Sequence, residues 1–177
     1  MAGIINDHPL GVELTPEVAI LGGLSHQVPE PPPLLNFFID VDYTLISANG
    51  ALRPHAQTLF NRLTDAGHAM YIWSGVGIRK YEMTRHKIDP MVTDYFEKPT
   101  ADYRAAVERA ALPIAPDLVV DDHEEIVHEF GGVVVRPYFF ADDSDKELVN
   151  VADALLDYAE SGTSSFSRFV SPRNGAG

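Results

Sequence analysis

The sequence predicts an α/β protein built on a central parallel sheet. Three observations point there. Short apolar runs at 34–39, 69–73, 117–120 and 133–135 alternate with segments of helical character, which is the pattern of βαβ units. The first run, Leu34 to Ile39, is nearly continuous, as a strand covered on both faces is. Polar residues then follow these runs directly: Asp40 and Asp42, Ser74, and Asp121 with Asp122. In parallel sheets ligands sit beyond the carboxyl ends of the strands.

The elements follow in order. Residues 1–33 hold Pro9, Pro16, Pro29, Pro31, Pro32 and Pro33 and predict an extended, Pro-rich N-terminal arm. Within it, Val18 to Leu21 could add an edge strand or lie over an apolar patch. A globular domain is expected over 34–160. After the first strand, Pro54 to Ala66 reads as a helix, with Leu59, Phe60 and Leu63 on one face and Gly67 as its stop. Ala69 to Trp73 is a second strand, followed by a helix from Ile78 to Lys87. Val92 to Phe96 is a short extended piece leading to Lys98. Thr100 is expected to cap a helix over Ala101–Ala111. Asp117 to Val120 is a strand, His123 to Phe130 a helix ended by Gly131-Gly132, and Val133 to Val135 a strand. Lys146 to Glu160 is a last amphipathic helix. The Ser/Gly-rich stretch 161–177 predicts a disordered tail.

Totals exclude several classes. The 177 residues suit one domain with a full core. A net charge of −13 weighs against nucleic acid, whose binders need a basic footprint. There is no cysteine, so disulfides, thiolate nucleophiles and Cys-ligated zinc are excluded. No run approaches a membrane span, and the first residues lack a basic region followed by an apolar one. No membrane association is expected, and the location expected is cytoplasmic.

The densest chemistry lies in Asp40-Val41-Asp42-Tyr43-Thr44. Two carboxylates at the mouth of a buried strand repel each other and cost desolvation. A divalent cation relieves both, and oxygen ligands of this kind suit Mg²⁺. The whole set matches metal-assisted phosphoryl transfer. A carboxylate can accept a phosphoryl group, a second acid can protonate the leaving oxygen, and a lysine, a hydroxyl and Mg²⁺ can hold the transferring charge.

Asp40-Val41-Asp42-Tyr43-Thr44, Ser74, Lys98 and Asp121-Asp122, in that order, resemble the four motifs of the haloacid dehalogenase (HAD) superfamily. The resemblance covers about residues 34 to 140. It implies a Rossmann-like three-layer sandwich and a Mg²⁺-dependent phosphatase of phosphorylated substrates, working through an aspartyl-phosphate. Asp40 would be the nucleophile and a metal ligand. Asp42 would be the general acid/base and lend its backbone carbonyl to the metal. Thr44 would orient the Asp42 region at the phosphate site. Ser74 and the Gly75 amide would bind a phosphoryl oxygen, and Lys98 would stabilise the nucleophile and the phosphoryl charge. Asp122 is favoured as direct metal ligand, with Asp121 close behind. Many members carry an acid or Asn four residues later; here that position is Ile126, with Glu125 one earlier. Neither the gap from Thr44 to Ser74 nor that from Lys98 to Asp121 can hold a lid domain. The layout is similar to the small, capless magnesium-dependent phosphatases. An open site of that kind suits a bulky substrate, or one walled in by the partner subunit of a homodimer.

Two other readings stay open: a phosphotransferase of the same fold, and a non-catalytic scaffold. A receiver domain is disfavoured because its acid pair precedes its acceptor Asp. His123 and His128 are five residues apart, ~140° off one helical face, so a zinc-protease helix is rejected. Asp142 to Asp145 reads as a helix start, not a calcium loop. Arg53, His55, Arg79 and His123 fall near the acidic edge but are expected to be surface or structural residues, and Trp73 and Tyr43 to be core.

Overall fold

The computed structural model describes residues 32–173. The expected N-terminal arm and its Val18 to Leu21 strand lie almost wholly outside them. The element order is β1 (Asn36–Ile39), α1 (Ala56–Asp65), β2 (Ala69–Ser74), α2 (Lys80–Arg85), β3 (Asp94–Glu97), α3 (Tyr103–Arg109), β4 (Leu118–Asp121), α4 (Glu124–Phe130), β5 (Gly132–Val134), α5 (Glu147–Ser161) and β6 (Phe169–Val170). One six-stranded sheet runs β3-β2-β1-β4-β5-β6. Every neighbouring pair is parallel except β5 with β6. This is an α/β architecture compatible with a Rossmann-like fold.

The two-residue period of the strands divides the core. Phe37, Ile39, Met70, Ile72, Leu118 and Val120 face one side, where Leu59, Phe60 and Leu63 of α1 and Leu148, Val151 and Leu155 of α5 close over them. Phe38, Tyr71, Trp73 and Val119 face the other, against Val107 of α3 and Ile126, Val127 and Phe130 of α4. Both faces are therefore covered, and β1 lies between two parallel partners with no exposed edge. Phe38 anchors the second face through stacked contacts with Tyr71 and Phe96 and an edge contact with Trp73. Trp73 is core, as expected.

Two glycines set boundaries. Gly67 takes φ +88° just past α1, where an L side chain is strained. At Gly132 a Cβ would stand 1.9 Å from the Val119 carbonyl oxygen, so only glycine lets β5 approach β4 there.

Two expectations are corrected. Thr100 does not cap α3: that helix starts at Tyr103, behind a left-handed Asp102 that makes no side-chain cap. The described chain from 162 to 173 is also not a featureless tail. Phe169–Val170 pairs antiparallel with β5, and Phe166 and Phe169 pack on the core. Composition concealed this because three apolar residues among serines and an arginine suffice for a short edge strand. No described helix is long and apolar enough to cross a membrane.

Glu147 ties this edge together. It is wholly buried at the start of α5. It accepts the Arg136 amide at 3.1 Å, the Arg136 guanidinium at 3.1 and 3.2 Å, and the Arg168 guanidinium. Glu147→Ala takes the carboxylate from both arginines, though Arg168 Nε keeps the Val134 carbonyl at 3.0 Å. Arginines near the surface recover some hydration, so the expected loss is about 2 kcal/mol. Thermal unfolding should show Tm lower by roughly 4–8 °C; an unchanged Tm would mean the cluster is dispensable.

Candidate functional site

The carboxyl ends of β1, β2 and β4 and the chain just after β3 bring the acidic residues to one edge. The Asp40 amide donates to Val120 O at 3.0 Å, which continues the β1–β4 register by one residue and places Asp40 at the sheet's rim. The amides of Thr44, Leu45 and Ile46 then converge on Val41 O at 2.9–3.3 Å. Tyr43 pays for that tight turn with φ +62°, rare for a bulky side chain. The strained residue is held from both sides: its amide donates to Ile46 O at 2.8 Å, and its carbonyl accepts the Tyr138 amide at 2.6 Å. Its ring packs 5.0 Å from that of Phe139.

Lys98 is the centre of the cluster. Its Nζ lies 2.7 Å from Asp40 Oδ1 and 2.9 Å from Asp121 Oδ2, with all three side chains nearly or fully buried. Burial opposes the ammonium charge, but the two carboxylates outweigh it and hold the Lys98 pKa above its ordinary value. Burial, then repulsion from Asp121, pushes Asp40 up to about 7 against the pull of Lys98. Burial also raises Asp122, with Asp121 adding to it and His123 opposing.

Asp42 stands apart from this trio. Its Oδ2 accepts Ser74 Oγ at 3.2 Å, and its Oδ1 meets the Arg79 guanidinium at 2.6 Å. Ser74 is buried at the end of β2. Asp40, Asp42, Ser74, Gly75 and Lys98 line one cavity of about 330 Å³, walled by Tyr43, Val76, Pro99, Tyr103 and Ile126. Thr44 is not among the lining residues. It is fully buried, and its hydroxyl faces Asp122 Oδ1 at 3.5 Å. That places Thr44 behind Asp122.

Two residues expected to be surface or structural stand beside the site. Arg79 pairs with Asp42 and with Glu82 at 3.0 Å. His123 lines the cavity, its Nδ1 3.2 Å from Asp121 Oδ1 and 3.2 Å from Asp122 Oδ1. Tyr43, expected in the core, lines the cavity too. Arg53 is structural: it is buried, donates to Thr44 O at 3.2 Å, and pairs with Asp145 at 2.9 Å. It thereby fixes the far side of the β1 turn.

The donor set fits a hard divalent cation. Two buried carboxylates, Asp40 and Asp121, share one fixed ammonium, and Asp122 beside them has His123 as its ionic partner. Donor atoms of Asp121, Asp122 and His123 lie within 4.8 Å of one another. Comparison with protein-family models, with curated proteins and with solved structures found no significant match.

Proposed function

We propose that this protein is a metal-dependent phosphomonoester hydrolase of the HAD superfamily, acting through an aspartyl-phosphate on Asp40. One observation carries the reading. A buried lysine holds Asp40 and Asp121 together at 2.7 and 2.9 Å, while Asp42 and Ser74 stand on the same cavity.

The chemistry follows from those places. Lys98 fixes one Asp40 oxygen and keeps the carboxylate oriented toward the cavity. An Asp40 oxygen attacks phosphorus, and the bond to the leaving oxygen breaks. Asp42, carrying a proton, gives it to that oxygen. Ser74 Oγ and Lys98 Nζ would hold the phosphoryl oxygens. A water then enters, Asp42 takes its proton, and hydroxide releases inorganic phosphate and regenerates Asp40. Asp40, Asp122 and Asp121 would hold Mg²⁺ or a similar ion, which would supply charge neutralisation on the phosphoryl group. Arg79 restrains Asp42 in this structure, so Asp42 must exchange that partner for the leaving group during turnover. An alcohol replacing water in the second step gives the phosphotransferase alternative.

The test is p-nitrophenyl phosphate hydrolysis with and without Mg²⁺, together with Asp42→Asn. The wild type should turn over only with metal. Asp42→Asn should lower turnover by ~10²–10⁴-fold, the usual contribution of a positioned acid/base. It should also accumulate acid-stable phosphate on the protein, because p-nitrophenolate leaves without a proton while the water step still needs a base. Metal-independent hydrolysis, or none across a panel of phosphomonoesters, sinks the proposal.

A further inference from the structure

We propose that His123 supplies a nitrogen ligand to the cation held by the acidic cluster, so that the site prefers a first-row transition ion such as Mn²⁺ or Co²⁺ over Mg²⁺. This rests on the metal-dependent reading above and concerns which ion the cluster takes.

His123 has the placement of a ligand. Its side chain is 53% exposed on the cavity side of the acid pair. Its Nδ1 is 3.2 Å from each neighbouring carboxylate, and the donor atoms of the three residues fall within 4.8 Å. The backbone fixes that placement: the His123 amide donates to Asp121 Oδ1 at 3.0 Å, at the turn from β4 into α4. The cavity that His123 lines also holds a buried carboxylate. Asp40 lines the cavity with a side chain only 4% exposed. Lys98 occupies its Oδ1, and among the described residues its other oxygen accepts no hydrogen bond.

The structural alternatives serve His123 poorly. It precedes α4 but makes no side-chain capping hydrogen bond. A half-exposed ion pair with the two aspartates contributes little to stability. The ring is held by its Nδ1 contact with Asp121 Oδ1 at 3.2 Å, and that contact keeps the same nitrogen beside the acid pair, where a cation would take it.

The ion preference follows from ligand chemistry. Mg²⁺ demands oxygen donors and keeps its waters. Imidazole suits later divalent ions, whose affinity for mixed nitrogen and oxygen sites rises along the first row. One imidazole beside carboxylates therefore tilts the site away from Mg²⁺ without excluding it.

The experiment is calorimetric titration of metal-free protein with MgCl₂, MnCl₂ and CoCl₂, for wild type, His123→Ala and His123→Gln. The wild type should bind Co²⁺ at least ~10-fold more tightly than Mg²⁺, with Mn²⁺ between. Both variants should lose ~10–100-fold for Co²⁺ and less than ~3-fold for Mg²⁺. Pulsed electron paramagnetic resonance of Mn²⁺ on the wild type should show coupling to an imidazole nitrogen, and this measurement needs no variant. Equal losses for all three ions, unchanged preference in the variants, or absent nitrogen coupling overturns the role of His123 while leaving a metal site. A wild type that binds none of the ions overturns this inference and the metal-dependent function together.

Discussion

Asp40→Asn is expected to abolish turnover and, in the same protein, to raise the melting temperature of the metal-free form. The first effect follows from the proposed chemistry, because an amide oxygen is a poor nucleophile toward phosphorus. Loss of at least ~10⁴-fold is expected, as when a nucleophile that acts with its partners as one unit is removed. The second effect comes from electrostatics. Asp40 is buried beside Asp121, and its pKa is pushed up to about 7 from an ordinary 3.8. The folded state therefore binds the proton more tightly than the unfolded chain. Stability from that proton is fully present below about 3.8, falls as pH rises, and is lost above about 7. At pH 8 the wild type carries the whole cost of an ionised buried carboxylate. Asparagine removes the charge yet keeps an oxygen for the Lys98 ammonium, which also retains Asp121 at 2.9 Å. A gain of ~1 kcal/mol corresponds to about 2–4 °C in a chain of this size. Differential scanning calorimetry from pH 5 to 8, without metal, checks both points. Wild-type Tm should decline across that range more steeply than the variant's. A variant less stable than wild type at pH 8 would show that Lys98, not the carboxylate crowd, dominates the energetics at Asp40.

That site was legible in the sequence to an unusual degree, for a physical reason. In a parallel sheet the residue after each buried run must emerge at one edge. Locating Phe37 to Ile39, Met70 to Trp73 and Leu118 to Val120 therefore locates Asp40, Ser74 and Asp121 as neighbours. Lys98 follows β3 by a single residue and joins them by the same logic. What the pattern conceals is direction within turns. Arg79 meets Asp42 across 37 residues because the loop after Ser74 folds back before α2, and no periodicity encodes that. Thr44 turns inward because Tyr43 takes a left-handed conformation, which a tyrosine gives no reason to expect. His123 and His128 are five residues apart, a spacing that leaves them on different helical faces, so the motif reading gives His123 no role. Its relevance lies in adjacency to Asp122 at the strand end, a signal available in the sequence but hidden by the helical reading.

Lys98→Ala should have the opposite sign to Asp40→Asn on stability, though both remove one partner of the same ion pair. Lys98 is the only ammonium in contact with the buried Asp40 and Asp121 carboxylates among the described residues. Truncating it leaves Asp40 without its ionic partner in a water-poor place and Asp121 with His123 alone. Breaking a buried pair in this way costs roughly 3–5 kcal/mol. Protonation of Asp40 relieves part of that, so the loss should be smaller at pH 5 than at pH 8, the direction set by a raised carboxylate pKa. A divalent cation bound by the freed carboxylates should also restore part of the stability. Turnover should fall by ~10²–10³-fold even with metal, the usual cost of losing one donor to the developing charge. The double variant Asp40→Asn with Lys98→Ala closes the cycle. If repulsion among carboxylates drives both effects, it should be more stable than Lys98→Ala alone, with a coupling of about 1–3 kcal/mol. Additive effects would mean that Lys98 acts on Asp121 and not on Asp40, and the lysine would then be a strut for β4 in place of a partner for the nucleophile.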